Sequence, residues 1–250
     1  MRYIVFYLFQ GKDMRADMQF LHRNVPAKKA RGKVFVVIDV LRATTTIIEA
    51  LSNGCTEVIP VATVDEAFDR AKKSAREEIL LGGERGGLKV EGFDLDNSPR
   101  EYTQYVVSGK RVILTTTNGT KAFQRVAGCE FVLVGGFTNA RAVVQRCIAL
   151  KADPVMVPAG LRGGFSLEDV VCGGMMLDLL EKRGVALMDG ARAACILYKA
   201  FHRDLPEMAR NSEHGRELIQ LGYEEDLDFC LQTNVSSSVP VFKKGSITLD

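Results

Sequence analysis

Hydrophobic and polar positions alternate along this chain between two periods. Short β-branched runs recur between longer stretches with apolar residues three and four apart, the pattern of α/β architecture. Val34 to Val40 is apolar at nearly every position, which predicts a strand covered on both faces. Thr44 to Leu51 then reads as a helix stopped by Asn53 and Gly54. Further strands are expected at Glu57 to Val61, Ile79 to Leu81, Arg111 to Thr115, Phe131 to Val134 and Pro154 to Val157. Helices fill the gaps at Asp65 to Ala75, Pro99 to Val107, Lys121 to Val126 and Ala140 to Leu150. Ser98 before Pro99 has the form of a helix start, a side-chain cap followed by proline in the first turn.

Beyond Gly164 the pattern turns mostly helical, at Leu167 to Lys182, Ala191 to Phe201 and Glu213 to Leu221, with a short strand near Val239 to Phe242. Tyr3 to Phe9 also reads as a strand, because no small-residue cleavage site follows it. No repeat or low-complexity linker divides the chain. The expectation is one α/β unit over residues 1–250, with two closely packed lobes meeting near residue 160 if it divides at all.

Composition narrows the function. Lys and Arg number 33 against 31 Asp and Glu, so the net charge of +2 gives no reason to expect nucleic acid or an anionic membrane as partner. No apolar run reaches the roughly 18–20 residues of a membrane-spanning helix. Six cysteines lie far apart without a Cys-x-x-Cys pair, which suits reduced thiols in a cytoplasmic protein.

Candidate chemistry gathers just after the expected strands, where open α/β sheets bind ligands. Asp39, Arg42, Thr44 and Thr45 close the Val34 strand and open the next helix. A helix start, hydroxyls and a guanidinium suit an anion, and Asp39 suits a cation bridging to it; a Thr44 cap with an Asp39–Arg42 pair explains the same residues. Gly82-Gly83-Glu84-Arg85-Gly86-Gly87 lets backbone approach a ligand, or is a surface turn. Asp96-Asn97-Ser98-Pro99 combines an acid, an amide and a cap. Thr115-Thr116-Thr117-Asn118-Gly119-Thr120 offers more hydroxyl and amide donors than an Asn-Gly turn requires. A fifth group joins Arg162-Gly163-Gly164 to Ser166, Glu168 and Asp169; Ser166 and Asp169 have capping-box spacing, while both acids are also metal or water-orienting candidates. His214 titrates near neutrality and suits proton donation to a leaving alkoxide, or is a solvent-exposed helical histidine.

Other phosphate machines are missing. There is no Gly-x-x-x-x-Gly-Lys-Ser/Thr loop, no cysteine with an arginine six positions on, no Arg-His-Gly and no Gly-x-Ser-x-Gly elbow. Asp94-Leu95-Asp96 lacks the apolar strand that a haloacid-dehalogenase loop needs.

In order, Val37-Ile38-Asp39-Val40-Leu41-Arg42-Ala43-Thr44-Thr45, Gly83-Glu84-Arg85-Gly86-Gly87, Asn97-Ser98-Pro99, Thr116-Thr117-Asn118-Gly119-Thr120 and Glu168-Asp169 resemble the 2-phosphosulfolactate phosphatase family. Ser212-Glu213-His214-Gly215, Asp228-Phe229-Cys230 and Val239-Pro240 extend the likeness, which spans Val34 to Phe242. Asp96 stands where glycine is expected, and Met188-Asp189-Gly190 replaces a more acidic pair, leaving Asp189 alone if that second acid serves a metal.

The resemblance implies a three-layer α/β/α fold with a mixed, largely parallel sheet and a helix-rich C-terminal part. It also implies Mg2+-dependent removal of phosphate from 2-phospho-3-sulfolactate, a step of coenzyme M biosynthesis, and leaves a homodimer open. The expected assignments are Asp39, Arg42, Glu84, Glu168 and His214 as catalytic; Arg42, Thr44, Thr45, Arg85, Asn97, Ser98, Thr116, Thr117, Asn118, Gly119 and Thr120 as substrate-binding; and Asp39, Glu84, Glu168 and Asp169 as Mg2+ ligands. Asp39 as a phosphorylated nucleophile is the alternative route. Alternative activities are hydrolysis of another small phosphorylated hydroxy acid and non-catalytic binding of a small acid.

Overall fold

The computed structural model describes residues 14–25, 31–73 and 75–249; the strand expected at Tyr3 to Phe9 lies outside these. Among the described residues eleven strands form one sheet: β1 (Arg15–Met18), β2 (Lys33–Ile38), β3 (Glu57–Pro60), β4 (Ile79–Arg85), β5 (Leu88–Lys89), β6 (Arg111–Thr115), β7 (Phe131–Gly135), β8 (Asp153–Pro158), β9 (Ala186–Leu187), β10 (Pro240–Lys243) and β11 (Ser246–Leu249). The same described residues form ten α-helices: α1 (Ala43–Ser52), α2 (Val64–Ala71), α3 (Gln104–Val107), α4 (Gly119–Val126), α5 (Ala140–Leu150), α6 (Leu167–Glu181), α7 (Asp189–Phe201), α8 (Leu205–Asn211), α9 (Glu213–Gln220) and α10 (Glu224–Cys230). The arrangement is the three-layer, mostly parallel α/β fold that the resemblance implies, with α6–α10 making the C-terminal part helical.

The layers follow from the period of two along each strand. In β2, Val34, Val36 and Ile38 join one apolar cluster with α5, α6 and α7, while Phe35 and Val37 join another with α1 and α4. In β6, Val112 and Leu114 belong to the α1 and α4 side, and Ile113 turns to a third cluster containing Ala67 of α2. Strands buried on both faces have no polar side, hence the nearly continuous apolar runs.

The strand order is β5-β4-β6-β3-β11-β10-β7-β2-β8-β1-β9. It contains two parallel blocks, β4-β6-β3 and β7-β2-β8-β1-β9, separated by the β10–β11 hairpin. Each junction rests on a single residue pair, Val241 with Leu133 and Ile247 with Val58. The carboxyl ends of both blocks border one cleft.

Several expected boundaries move. Pro99–Glu101 is a 3-10 turn and α3 begins only at Gln104, so the single helix expected over Pro99 to Val107 is broken. Tyr102 causes the break: its hydroxyl donates to the Asp96 carbonyl, and its own carbonyl accepts from Asn53. Those tertiary bonds hold Tyr102 outside helical geometry, at φ −88° and ψ 51°. Ser98 makes no side-chain cap. By contrast, Ser166 accepts from the Asp169 N–H and caps α6. Helix α2 stops at Ala71, and β1, β5, β9, β11, α8 and α10 add to the elements read from pattern.

Candidate active site

The cleft has about 80 Å3 of free volume and is lined by Asp39, Arg42, Glu84, Asn97, Thr116, Thr117, Asn118 and His214, together with Leu41, Arg162, Glu217, Leu218 and Leu221. At roughly 10–15 Å3 per water it admits several waters, or a small acid that displaces them. Eight of the expected residues, from Asp39 to His214 along the chain, therefore meet in one cleft.

Asp39 follows β2 and is buried. The start of α1 folds back over it: Ala43 N–H donates to Asp39 Oδ1 at 3.4 Å, Thr44 N–H donates to its carbonyl at 2.9 Å, and the Asp39 N–H donates to Thr44 Oγ1 at 3.0 Å. The partial positive charge of the helix start thus falls on the Asp39 carboxylate. Thr44, Thr45 and Thr46 direct their hydroxyls to the carbonyls of Asp39, Val40 and Asn97, so these threonines shape the loop rather than line the cleft.

Glu84 fastens two glycine- and threonine-rich loops together. Its Oε1 accepts from Thr117 N–H at 2.6 Å, and its Oε2 accepts from Thr117 Oγ1 at 3.1 Å and Gly87 N–H at 2.8 Å. Arg85 points away from the cleft, onto the carbonyls of Glu84 and Ala62 and the hydroxyl of Thr115. Thr120 closes the next turn by accepting from Thr116 N–H. Gly119 opens α4 where only glycine fits: a Cβ there would lie 2.8 Å from Asp39 Oδ2, 2.9 Å from Ala43 Cβ and 3.1 Å from Thr116 Oγ1.

Arg42 does not pair with Asp39. Its Nη1 donates to Asp226 at 2.7 Å and Asp96 at 3.3 Å, its Nη2 donates to the Gly87 carbonyl at 3.0 Å, and its Cζ sits 4.1 Å from the centroid of the Tyr223 ring. Ser98 donates its hydroxyl to the other Asp226 oxygen at 2.7 Å. Burial disfavours the guanidinium charge, but the two carboxylates outweigh it and raise the Arg42 pKa. Asp96 is thus one of the two counter-charges of a buried arginine. Asp226 and Tyr223 were missing from the sequence-based site; the one signal for them is a second acid, far along the chain, for a buried arginine to share.

Glu168 and Asp169, adjacent in α6, take separate tasks behind the cleft wall. Asp169 Oδ1 accepts from Val40 N–H at 2.8 Å and Oδ2 from Gly160 N–H at 3.1 Å, joining the loops after β2 and β8. Glu168 Oε1 lies 3.2 Å from His214 Nδ1. Burial raises the Asp39 carboxyl to about 6, with Glu84 and Glu168 adding repulsion against the lowering effects of His214 and the Ala43 N–H. Burial, then Asp39 and Glu168, holds Asp169 well above the usual carboxylate range. For the Glu168–His214 pair, burial opposes ionisation of both, but their hydrogen bond and mutual attraction prevail: Glu168 shifts down and His214 up. Asp189 stands exposed at the start of α7 and is not among the cleft-lining residues.

Among the described residues, no three His, Cys, Asp or Glu form a ready cage for a metal. Magnesium seldom needs one, since it binds through one or two carboxylates, waters and substrate phosphate. The donors fit that mode. Asp39 and Glu84 both line the cleft, the charge of Asp39 is repelled by its acidic neighbours, and Thr116 Oγ1 and Asn97 Oδ1 are buried without a hydrogen-bond partner.

Fold and site together define an α/β protein whose ligand cleft, at the carboxyl ends of two parallel strand blocks, suits a small acidic molecule. Residues 20–245 match the family model for 2-phosphosulpholactate phosphatase. The chain belongs to that family of phosphoric monoester hydrolases. It is 37% identical over 239 residues to a protein of Clostridium beijerinckii, covering 95% of this chain and 100% of the relative. A Clostridium acetobutylicum protein is 39% identical over 94% of this chain and 100% of its own length, and one from Symbiobacterium thermophilum is 41% identical over 90% and 97%. All three bear the name "Probable 2-phosphosulfolactate phosphatase". No helix of the described residues is long and apolar enough to cross a membrane.

Proposed function

We propose that this chain is a Mg2+-dependent phosphatase that hydrolyses 2-phospho-3-sulfolactate to 3-sulfolactate and phosphate. The observation that carries the reading is the convergence of Asp39, Glu84, the Thr116–Asn118 loop and His214 on one cleft, in a chain that matches relatives named for this activity almost end to end. The reaction is placed in the cytoplasm, where six widely spaced cysteines without a Cys-x-x-Cys pair would stay reduced.

Asp39 and Glu84 would hold Mg2+, which when bound neutralises phosphate charge and orients the attacking water. Asn97, Thr116 and Asn118, with the start of α4, present donors to the phosphate oxygens; N–H groups in the first turn of a helix have no acceptor within that helix. The water oxygen forms a bond to phosphorus as the bond to the ester oxygen breaks. His214, kept protonated by Glu168, delivers a proton to the departing alkoxide. Glu168 and Asp169 act from behind, the first on the charge of His214 and the second on the position of the β2 and β8 loops.

Phosphate release from 2-phosphosulfolactate, phospholactate and phosphoglycolate, each with Mg2+ and with a chelator, tests the reading. Metal-dependent preference for the sulfonated ester is expected. Preference for another ester would overturn the substrate, metal-independent turnover would overturn the cofactor, and silence on all three would favour a binding module. Solvent 18O entering the Asp39 side chain in a single turnover would replace direct attack by water with a phospho-aspartate.

A further inference from the structure

The proposed substrate carries a sulfonate as well as a phosphate, and this inference rests on that reading. Among the described cleft-lining residues two are arginines, Arg42 and Arg162. They stand in opposite states. Arg42 is 2% exposed, and both terminal nitrogens are engaged by Asp226, Asp96 and the Gly87 carbonyl. Its charge is already balanced inside the protein, and turning it toward a ligand would strip two buried carboxylates of their partner.

Arg162 is 62% exposed, and its guanidinium rests on Glu217 at 2.7 Å and Glu213 at 3.4 Å. Those acids are four residues apart on α9 and so share a face. Exposed ion pairs of this kind contribute little, because water and salt screen them and long side chains lose freedom in making them. The backbone is anchored: Arg162 N–H donates to Asn118 Oδ1 at 3.0 Å, in the loop that opens α4, at a left-handed φ of 52°. The cleft therefore has one guanidinium on a fixed root with weakly held, exchangeable partners, and Glu217 lines the cleft beside it.

We propose that Arg162 reads the sulfonate of the substrate, the one acidic group that phospholactate lacks, exchanging Glu217 for it, and that Glu217 is a positioning residue that holds the guanidinium when the cleft is empty of acid. A forked guanidinium donates two parallel N–H bonds to a sulfonate, whereas an ester lacking that group leaves Arg162 on Glu217. Discrimination between sulfonated and plain phosphoesters then resides in this exchange.

The experiment compares wild type, Arg162→Gly, Arg162→Lys and Glu217→Gln. Glycine suits the left-handed backbone, so loss of the side chain adds no strain at φ 52°. Two readouts are kcat/KM for 2-phosphosulfolactate against phospholactate, and calorimetric binding of 3-sulfolactate against lactate. In Arg162→Gly the preference for the sulfonated member should fall about ten- to hundredfold, the range of a charge-assisted hydrogen bond. Arg162→Lys should recover part of it, and Glu217→Gln should lower KM for the sulfonated ester with little change in kcat. An unchanged preference in Arg162→Gly, or equal losses on both members of each pair, would overturn the assignment. If wild type fails to hydrolyse 2-phosphosulfolactate, the activity reading falls, while the binding pair still decides the role of Arg162.

Discussion

Replacing Asp226 tests the claim that the C-terminal helices hold the cleft through a buried arginine. Asp226 in α10 joins Arg42 at 2.7 Å and Ser98 at 2.7 Å, with both charged side chains 2% exposed. Removing one partner of such a pair costs about 3–5 kcal/mol, because the other charge stays buried. Here Asp96 remains, but at the longer 3.3 Å, while the Ser98 hydroxyl loses its acceptor. Asp226→Ala should therefore destabilise by about 3–4 kcal/mol. Asp226→Asn behaves differently: it keeps the shape and an acceptor oxygen, and leaves Arg42 and Asp96 as a balanced pair, so about 1–2 kcal/mol is expected. Equilibrium urea unfolding followed by circular dichroism reads both, with the midpoint shifting and the slope unchanged. At roughly 2–4 °C per kcal/mol the alanine variant should melt about 6–16 °C lower. Equal costs for alanine and asparagine, or an alanine cost below about 1 kcal/mol, would refute a buried charge network and leave a pair no stronger than a surface one.

Three other outcomes follow from the site. The native Asp39 carboxyl titrates at about 6 against an ordinary 3.8, so between those values the native state keeps a proton that the unfolded chain has released, and stability falls as pH rises through the window. Metal-free Asp39→Asn should then be more stable than wild type near neutral pH by about 2–3 kcal/mol, at ~1.36 kcal/mol per unit, with the gap closing in acid and with phosphatase activity lost; a gap that ignores pH would refute this. His214 is raised above its ordinary 6.5 by Glu168, so the stability from that pair is full below that value and is lost as pH rises through the higher native one; urea midpoints of wild type and His214→Gln should converge in alkali. Gly119→Ala pushes a methyl against Asp39 Oδ2 and Ala43, and should lower kcat/KM about a hundredfold, while costing about 1–3 kcal/mol of stability.

Much of the scaffold was legible in the chain because its causes are local. Strand β6 has the bounds that its apolar run predicts, and α5 those of its helical spacing. Strand β2 reads correctly as buried on both faces, since an interior strand has no position for a polar side chain. The threonine loop stood out because it carries more hydroxyl and amide donors than its turn requires, whereas most of the glycine cluster, open to reading as a surface turn, lies in β4; the order of five motifs pointed to the family.

What tertiary structure alone decided is who meets whom. Period and spacing say which face of an element is apolar, but not which strand lies beside it, so the β10–β11 hairpin between two parallel blocks had no signature. Strand β1, a four-residue segment beginning with Arg15, and α10, opening with Glu224, Glu225 and Asp226, were too short and too polar to register. The partner of a buried charge is likewise a long-range choice: Arg42 could have closed on Asp39 three residues away, yet it reaches Asp226, 184 residues on, because α10 packs against the Pro99 turn and delivers a carboxylate there. That choice leaves Asp39 free for the cleft and makes Arg162, rooted on Asn118, the arginine with exchangeable partners. Local sequence determines which residues can do chemistry; packing determines which of them are spent on holding the protein together.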